Sequence, residues 1–143
     1  MITLEHFDEV DMRVGTITAV SLNKRARKPA YKITVDLGDF GTKNSSAQLT
    51  NYEPEELVGK QVVCVCNFEP MRIGDVKSEV RLLGSDTDEG CILLTSLTPV
   101  KNGSKILNRP GLATGSFFRI PDKCKTGSEN RSSLTLFFIH ILH

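Results

Sequence analysis

The chain has 143 residues, 39% of them hydrophobic and 24% charged, with a formal net charge of +1. That length suits one domain with a sizeable core, or a smaller domain carrying an extension. There is no tryptophan and only 6% of residues are aromatic, so no large stacking platform for bases is evident, and the near-neutral total excludes a global basic field.

Charge is nevertheless unevenly spread. Between Ser21 and Thr50 lie Lys24, Arg25, Arg27, Lys28, Lys32 and Lys43 against only Asp36 and Asp39, whereas the first eleven residues hold Glu5, Asp8, Glu9 and Asp11 with no Lys or Arg. No charged segment followed by an apolar stretch marks a secretory signal at the start. No apolar run reaches the roughly 20 residues that span a bilayer. Cys64 and Cys66 lie two apart in an apolar run and so share one strand face. With Cys91 and Cys124 they give no zinc spacing, and reduced, buried thiols in a cytoplasmic protein are the expectation.

In chain order, "TLEHFDEVDM" places Leu4, Phe7 and Val10 at three-residue spacing behind Thr3, which predicts one to two turns of helix with Thr3 or a neighbour as cap. So short a helix cannot hold itself in water and needs a surface to pack on. Met12 to Leu22 reads as a strand with an irregularity near Gly15. "NKRARKPA" is a basic loop broken by Pro29. "YKITVDLG" alternates cleanly, with Tyr31, Ile33, Val35 and Leu37 on one face. "TKNSSAQLTN" is a polar strand with Ser45, Ala47 and Leu49 on one side and Ser46 and Gln48 on the other.

"YEPEELVGK" has Pro54 near a helix start, acidic residues in the first turn and Gly59 at the stop. "QVVCVCNFE" is a strand expected to be buried on both faces. "NFEPMRIGDVKSEVRLLG" then turns as a decorated hairpin, with Ser78 and Glu79 beginning the next strand. "SDTDEG" reads as a turn, "CILLTSL" as a strand, and "TPVKNGSKI" as a turn with a last extended piece. Three strands, a short helix, then two more strands match an all-β, five-stranded Greek-key OB barrel. In that fold, the helix between the third and fourth strands plugs the barrel. After residue 106 the composition breaks: residues 1–106 carry net −2 and residues 107–143 net +3. The latter read as a C-terminal extension of unknown role, ending in the apolar "LTLFFIHILH", an aggregation liability unless it packs on something.

Catalytic constellations find little support. His6, His140 and His143 all lie in peripheral segments, and there is neither a phosphate loop nor a dinucleotide fingerprint. Asp86, Asp88 and Glu89 form an acidic turn without the spacing of a calcium loop. No cofactor and no metal are expected. The basic loop Lys24, Arg25, Arg27, Lys28 borders the face that the second and third strands of an OB fold present, and it can attract phosphate or an acidic polypeptide. Ser46 and Gln48 offer hydrogen bonds beside it. Asn67, Arg72, Lys77, Ser78 and Glu79 dress the hairpin, and a buried Glu79 needs Arg72, Lys77 or a main-chain amide as partner.

Four segments, "DMRVGTITAV", "KNSSAQLTN", "GKQVVCVCNFEPMRIGDVKSEVRLLG" and "PVKNGSKI", resemble the tRNA-binding domain family, most of all its CsaA-type export-related chaperones. The resemblance covers about residues 5–106. It implies a homodimeric OB fold whose N-terminal helix, here Leu4, Phe7 and Val10, contributes to the subunit interface. It also implies a polar binding signature on Ser45, Ser46, Gln48, Asn67, Arg72, Lys77, Ser78 and Glu79. Where synthetase-type and tRNA-binding members favour Ser-Glu-Gly-Met, this chain has Ser78-Glu79-Val80-Arg81, nearer to the CsaA branch. The sequence therefore favours a non-catalytic chaperone for unfolded or exported polypeptides. A tRNA-binding module is the alternative.

Overall fold

The computed structural model describes residues 1–108; apart from Leu107 and Asn108, the C-terminal extension with its Leu134–Leu142 stretch, Cys124, His140 and His143 lies outside them. Helix α1 (Leu4–Asp8) is followed by β1 (Met12–Leu22), β2 (Tyr31–Asp36), β3 (Thr42–Ala47), α2 (Pro54–Leu57) and β4 (Gln61–Val65). Five short strands follow: β5 (Met71–Ile73), β6 (Val76–Ser78), β7 (Arg81–Leu82), β8 (Gly84–Thr87) and β9 (Gly90–Leu93). The main sheet is antiparallel with order β3-β2-β1-β4-β7.

β1 serves both halves of the barrel. Its first part pairs with β4, Met12 facing Val65 and Thr16 facing Gln61, and its second with β2, Thr16 facing Asp36 and Leu22 facing Tyr31. The register slips between Ile17 and Ala19, and this extra residue bends the strand around the barrel. Composition suggests the irregularity at Gly15; the bulge sits at Thr18 instead. Gly15 answers a different need, because a Cβ there would stand 2.5 Å from Val35 Cγ1 and 2.8 Å from the Asp36 carbonyl.

Closure comes from the other edge. Glu79 N donates to Asn44 O at 2.8 Å, Asn44 N donates to Glu79 Oε2 at 3.0 Å, and Ser46 N donates to Ser78 Oγ at 3.3 Å. The result is a five-stranded, nearly closed antiparallel barrel of OB type. Its centre holds Ile17, Ile33, Val35, Leu37, Val62 and Val80, all essentially inaccessible, and Leu57 of α2 plugs one end. Each such aliphatic chain contributes about 1.5–3 kcal/mol of burial. Tyr31, Ile33, Val35 and Leu37 point inward together, as their alternation requires.

Several local readings are refined. "QVVCVCNFE" is buried only through Val65; the chain then leaves the sheet and Phe68 is exposed. Ser78 ends β6 rather than beginning a strand, and Glu79 lies between β6 and β7. "SDTDEG" is mostly strand, since Ser85–Thr87 pair with β9 and only Asp88-Glu89 turn. The last extended piece lies against the start of β1, with Ile106 N donating to Met12 O at 2.8 Å.

Thr3 caps α1, its hydroxyl accepting from His6 N while His6 Nδ1 accepts from Thr3 N. The helix buries none of its own residues: Leu4 is 66% exposed, and Phe7 and Val10 are half-buried. Asn67 anchors its end, donating to Glu9 O at 2.6 Å and accepting from Asp11 N at 3.0 Å. No described helix is long and apolar enough to cross a membrane.

Candidate functional site

The outward residues Ser46 and Gln48 of the β3 segment line a cavity rather than the core. Ser45 points in and is 1% exposed, Ser46 is half-buried and Gln48 is exposed. Two neighbours converge on Ser46: the β1–β2 loop and the β5–β6 hairpin. Their junction is Asn23, 6% exposed, whose Nδ2 donates to Ser46 Oγ at 3.1 Å and to Ile73 O at 2.7 Å. Asn23 Oδ1 is buried without a hydrogen-bond partner among the described residues. Gly74 makes the approach possible. At φ +60 it turns the hairpin, and a Cβ on it would stand 2.7 Å from both Asn23 Oδ1 and the Arg25 carbonyl carbon.

Between these elements lies a cavity of about 510 Å³. Arg25, Arg27 and Lys28 line it from the loop, Ser46 and Gln48 from the β3 end, and Arg72 from the hairpin. Four cations thus meet two neutral hydrogen-bonding side chains. The nearest carboxylate pairing is Asp75 with Arg25, Nε to Oδ2 at 3.4 Å, and both side chains are so exposed that the pair offsets little. Arg72 and Lys77 are register partners on β5 and β6. Like charges directly opposite each other are unfavourable, so the hairpin concentrates positive charge against its own stability.

The sequence-predicted residues divide accordingly. Arg25, Arg27, Lys28, Ser46, Gln48 and Arg72 come together around one cavity, with Lys77 on the same hairpin. Lys24 is exposed in the loop but does not line the cavity. Ser78 is buried and acts as a brace, accepting from Ser46 N and donating to Val80 O at 3.4 Å. Glu79 finds its partner in the Asn44 amide, one of the options expected for it, and so serves closure. Asn67 is spent on α1 and is not part of the cavity. Asn23 is missing from the sequence reading; its only local signal is an amide at the junction of a strand and a basic loop.

Val80 and Arg81, the departure from Gly-Met, have opposite fates. Val80 is 1% exposed in the core. Arg81 stays half-buried, its guanidinium carbon 5.6 Å from the centre of the Phe68 ring and its Nη2 3.8 Å from Met71 Sδ. Arg81 has no acidic partner among the described residues.

The thiols are held protonated. Burial, then the neighbouring Cys66, pushes the Cys64 thiol up to about 12. Burial and Asp11 push Cys66 up to about 11 against the opposing pull of Arg13 and Lys43. Among the described residues, no group of three or more His, Cys, Asp or Glu side chains is placed to hold a metal ion.

Comparison with known proteins agrees with this architecture. Residues 12–105 match the family described as "Putative tRNA binding domain". The methionine–tRNA ligase of Methanococcus vannielii is 40% identical over 106 residues, which span 74% of this chain but only 16% of that ligase. The crystal structure of the CsaA chaperone protein from Picrophilus torridus superposes with a TM-score of 0.72 at 47% identity, covering 75% of this chain and 100% of that one. The chaperone CsaA from Bacillus anthracis gives 0.70 at 41% identity, covering 75% and 99%. The chain therefore belongs to the tRNA-binding domain family, with CsaA proteins among its structural neighbours.

Proposed function

We propose that the chain is a non-catalytic binding protein of the cytoplasm that takes tRNA on its cationic cavity. The single observation carrying this reading is the convergence of Arg25, Arg27, Lys28 and Arg72 on Ser46 and Gln48. Guanidinium and ammonium groups there neutralise successive phosphates, and the released counterions drive binding despite the net −2 of residues 1–106. Ser46 and Gln48 supply hydrogen bonds to sugar or base. The Val80-Arg81 departure does not weaken this reading as the sequence suggests, because the substituted arginine adds a cation to a neighbouring cavity that shares Ser46 and Gln48 with the first.

The second reading is a chaperone for unfolded or exported polypeptides. It is favoured by CsaA proteins matched over 99–100% of their length, whereas the ligase is matched only over a small part. The exposed Phe68 and Met71 beside Arg81 would then hold apolar segments. In either reading the chain acts as a homodimer in which a second copy covers Leu4, Phe7 and Val10, since no residue of α1 is fully buried among the described residues.

Capture of ligands from cytosolic extract, with and without ribonuclease, separates the two. The tRNA reading expects RNA in the eluate and loss of all cargo after nuclease. Protein cargo that survives nuclease supports the chaperone instead.

A further inference from the structure

A second cavity, of about 240 Å³, opens across β3 from the cationic one and shares Ser46 and Gln48 with it. Its buried lining is Ser45 and Leu49, its half-buried lining includes Leu93, and Arg81 contributes the charge. The volume lies below the range of about 300–1,000 Å³ typical of whole small-molecule sites. One ring system fits that space better than a complete ligand.

We infer that this cavity receives one unpaired nucleobase of the RNA whose phosphates occupy the cationic cavity, an inference that rests on the tRNA reading above. Each nucleotide carries one base beside one phosphate, and here a cationic space and a small, partly apolar one abut at the same two side chains. Leu49 and Leu93 give the base apolar contact. The planar guanidinium of Arg81 stacks on its face, as arginine does on splayed bases where aromatic rings are lacking. Gln48 carries both a donor and an acceptor, enough to meet one base edge. An aliphatic side chain of a polypeptide in the same place would desolvate the Arg81 cation against hydrocarbon without a compensating partner.

The test uses a single-stranded RNA of about six nucleotides, within the usual site size of an OB fold, carrying 2-aminopurine. An all-abasic strand of the same length, and tRNA, complete the set. Wild-type protein is expected to bind the base-bearing strand on the order of tenfold more tightly than the abasic one, with a change in 2-aminopurine fluorescence. Arg81→Lys keeps the charge and loses the plane. It is expected to bring the two strands to equal affinity and abolish the fluorescence change, while the salt dependence of tRNA binding and the urea midpoint stay as in wild type. Equal binding of both strands by wild type, with tRNA still bound, overturns the base pocket and leaves the tRNA reading standing. Binding of unfolded acidic polypeptide with no binding of any RNA overturns both.

Discussion

Asn23 Nδ2 donates to Ser46 Oγ at 3.1 Å and, in the same geometry, to Ile73 O at 2.7 Å. One buried amide therefore fixes the basic loop, the third strand and the β5–β6 hairpin in register. The cationic cavity exists because these three elements are held together, and none of them could position it alone.

Asn23→Ala removes both bonds, leaving the Ile73 carbonyl and the Ser46 hydroxyl to find other partners. The expected loss is about 1–2 kcal/mol of stability, read from urea unfolding. Amide exchange should accelerate most at Met71–Ser78, the hairpin that the amide ties down. A uniform rise across the barrel with the hairpin no different would contradict the hub role.

Gly74→Ala acts on the same junction from the other side. The positive φ of +60 alone costs a non-glycine residue about 1–2 kcal/mol, and the added Cβ meets the Arg25 and Ala26 backbone at 2.7–2.8 Å. Both stability and tRNA affinity should fall. The hairpin can relieve the clash only by moving away from the loop, so Arg72 leaves the cavity with it.

Arg72 and Lys77 stand opposite each other, yet only Arg72 lines the cavity. Arg72→Ala is expected to weaken tRNA binding severalfold, and Lys77→Ala to weaken it less. Each removes one of two opposed like charges and should leave stability unchanged or raise it by a few tenths of a kcal/mol. Filter binding and thermal unfolding of the two variants side by side check both halves.

The thiols give a pH prediction. With folded values raised to about 12 for Cys64 and about 11 for Cys66, the unfolded chain releases its thiol protons first as pH rises past 9. The unfolded state then binds fewer protons than the folded one, so stability that is complete below pH 9 declines between pH 9 and 12. Cys64→Ala with Cys66→Ala should flatten that decline. A thiol reagent at pH 8 should react only slowly with Cys64, whose thiol is both buried and protonated.

Local chemistry made much of the barrel legible. Tyr31, Ile33, Val35 and Leu37 alternate because each contacts the core, and Thr3, Pro54 and Gly59 act within a single helical turn of where they stand. The cluster of Arg25, Arg27, Lys28, Ser46, Gln48 and Arg72 was also foreseeable, since loop and strand adjacency follows from the OB order. Asn23 was not, because its worth lies in partners 23 and 50 residues away. Asn67 was misleading for a related reason: an amide beside a polar hairpin looks like site dressing, whereas its bonds run back to Glu9 and Asp11. The bulge at Thr18 escaped notice because Gly15, the more conspicuous residue, is explained by close packing rather than by register.

The salt dependence of tRNA binding tests the central claim most directly. Four cations on phosphate predict a slope of log affinity against log salt between about −3 and −4 for wild type. For the Arg25→Ala, Arg27→Ala, Lys28→Ala variant, the prediction is about −1. A wild-type slope near zero, or an unchanged slope in the triple variant, would contradict the assignment of this cavity to RNA.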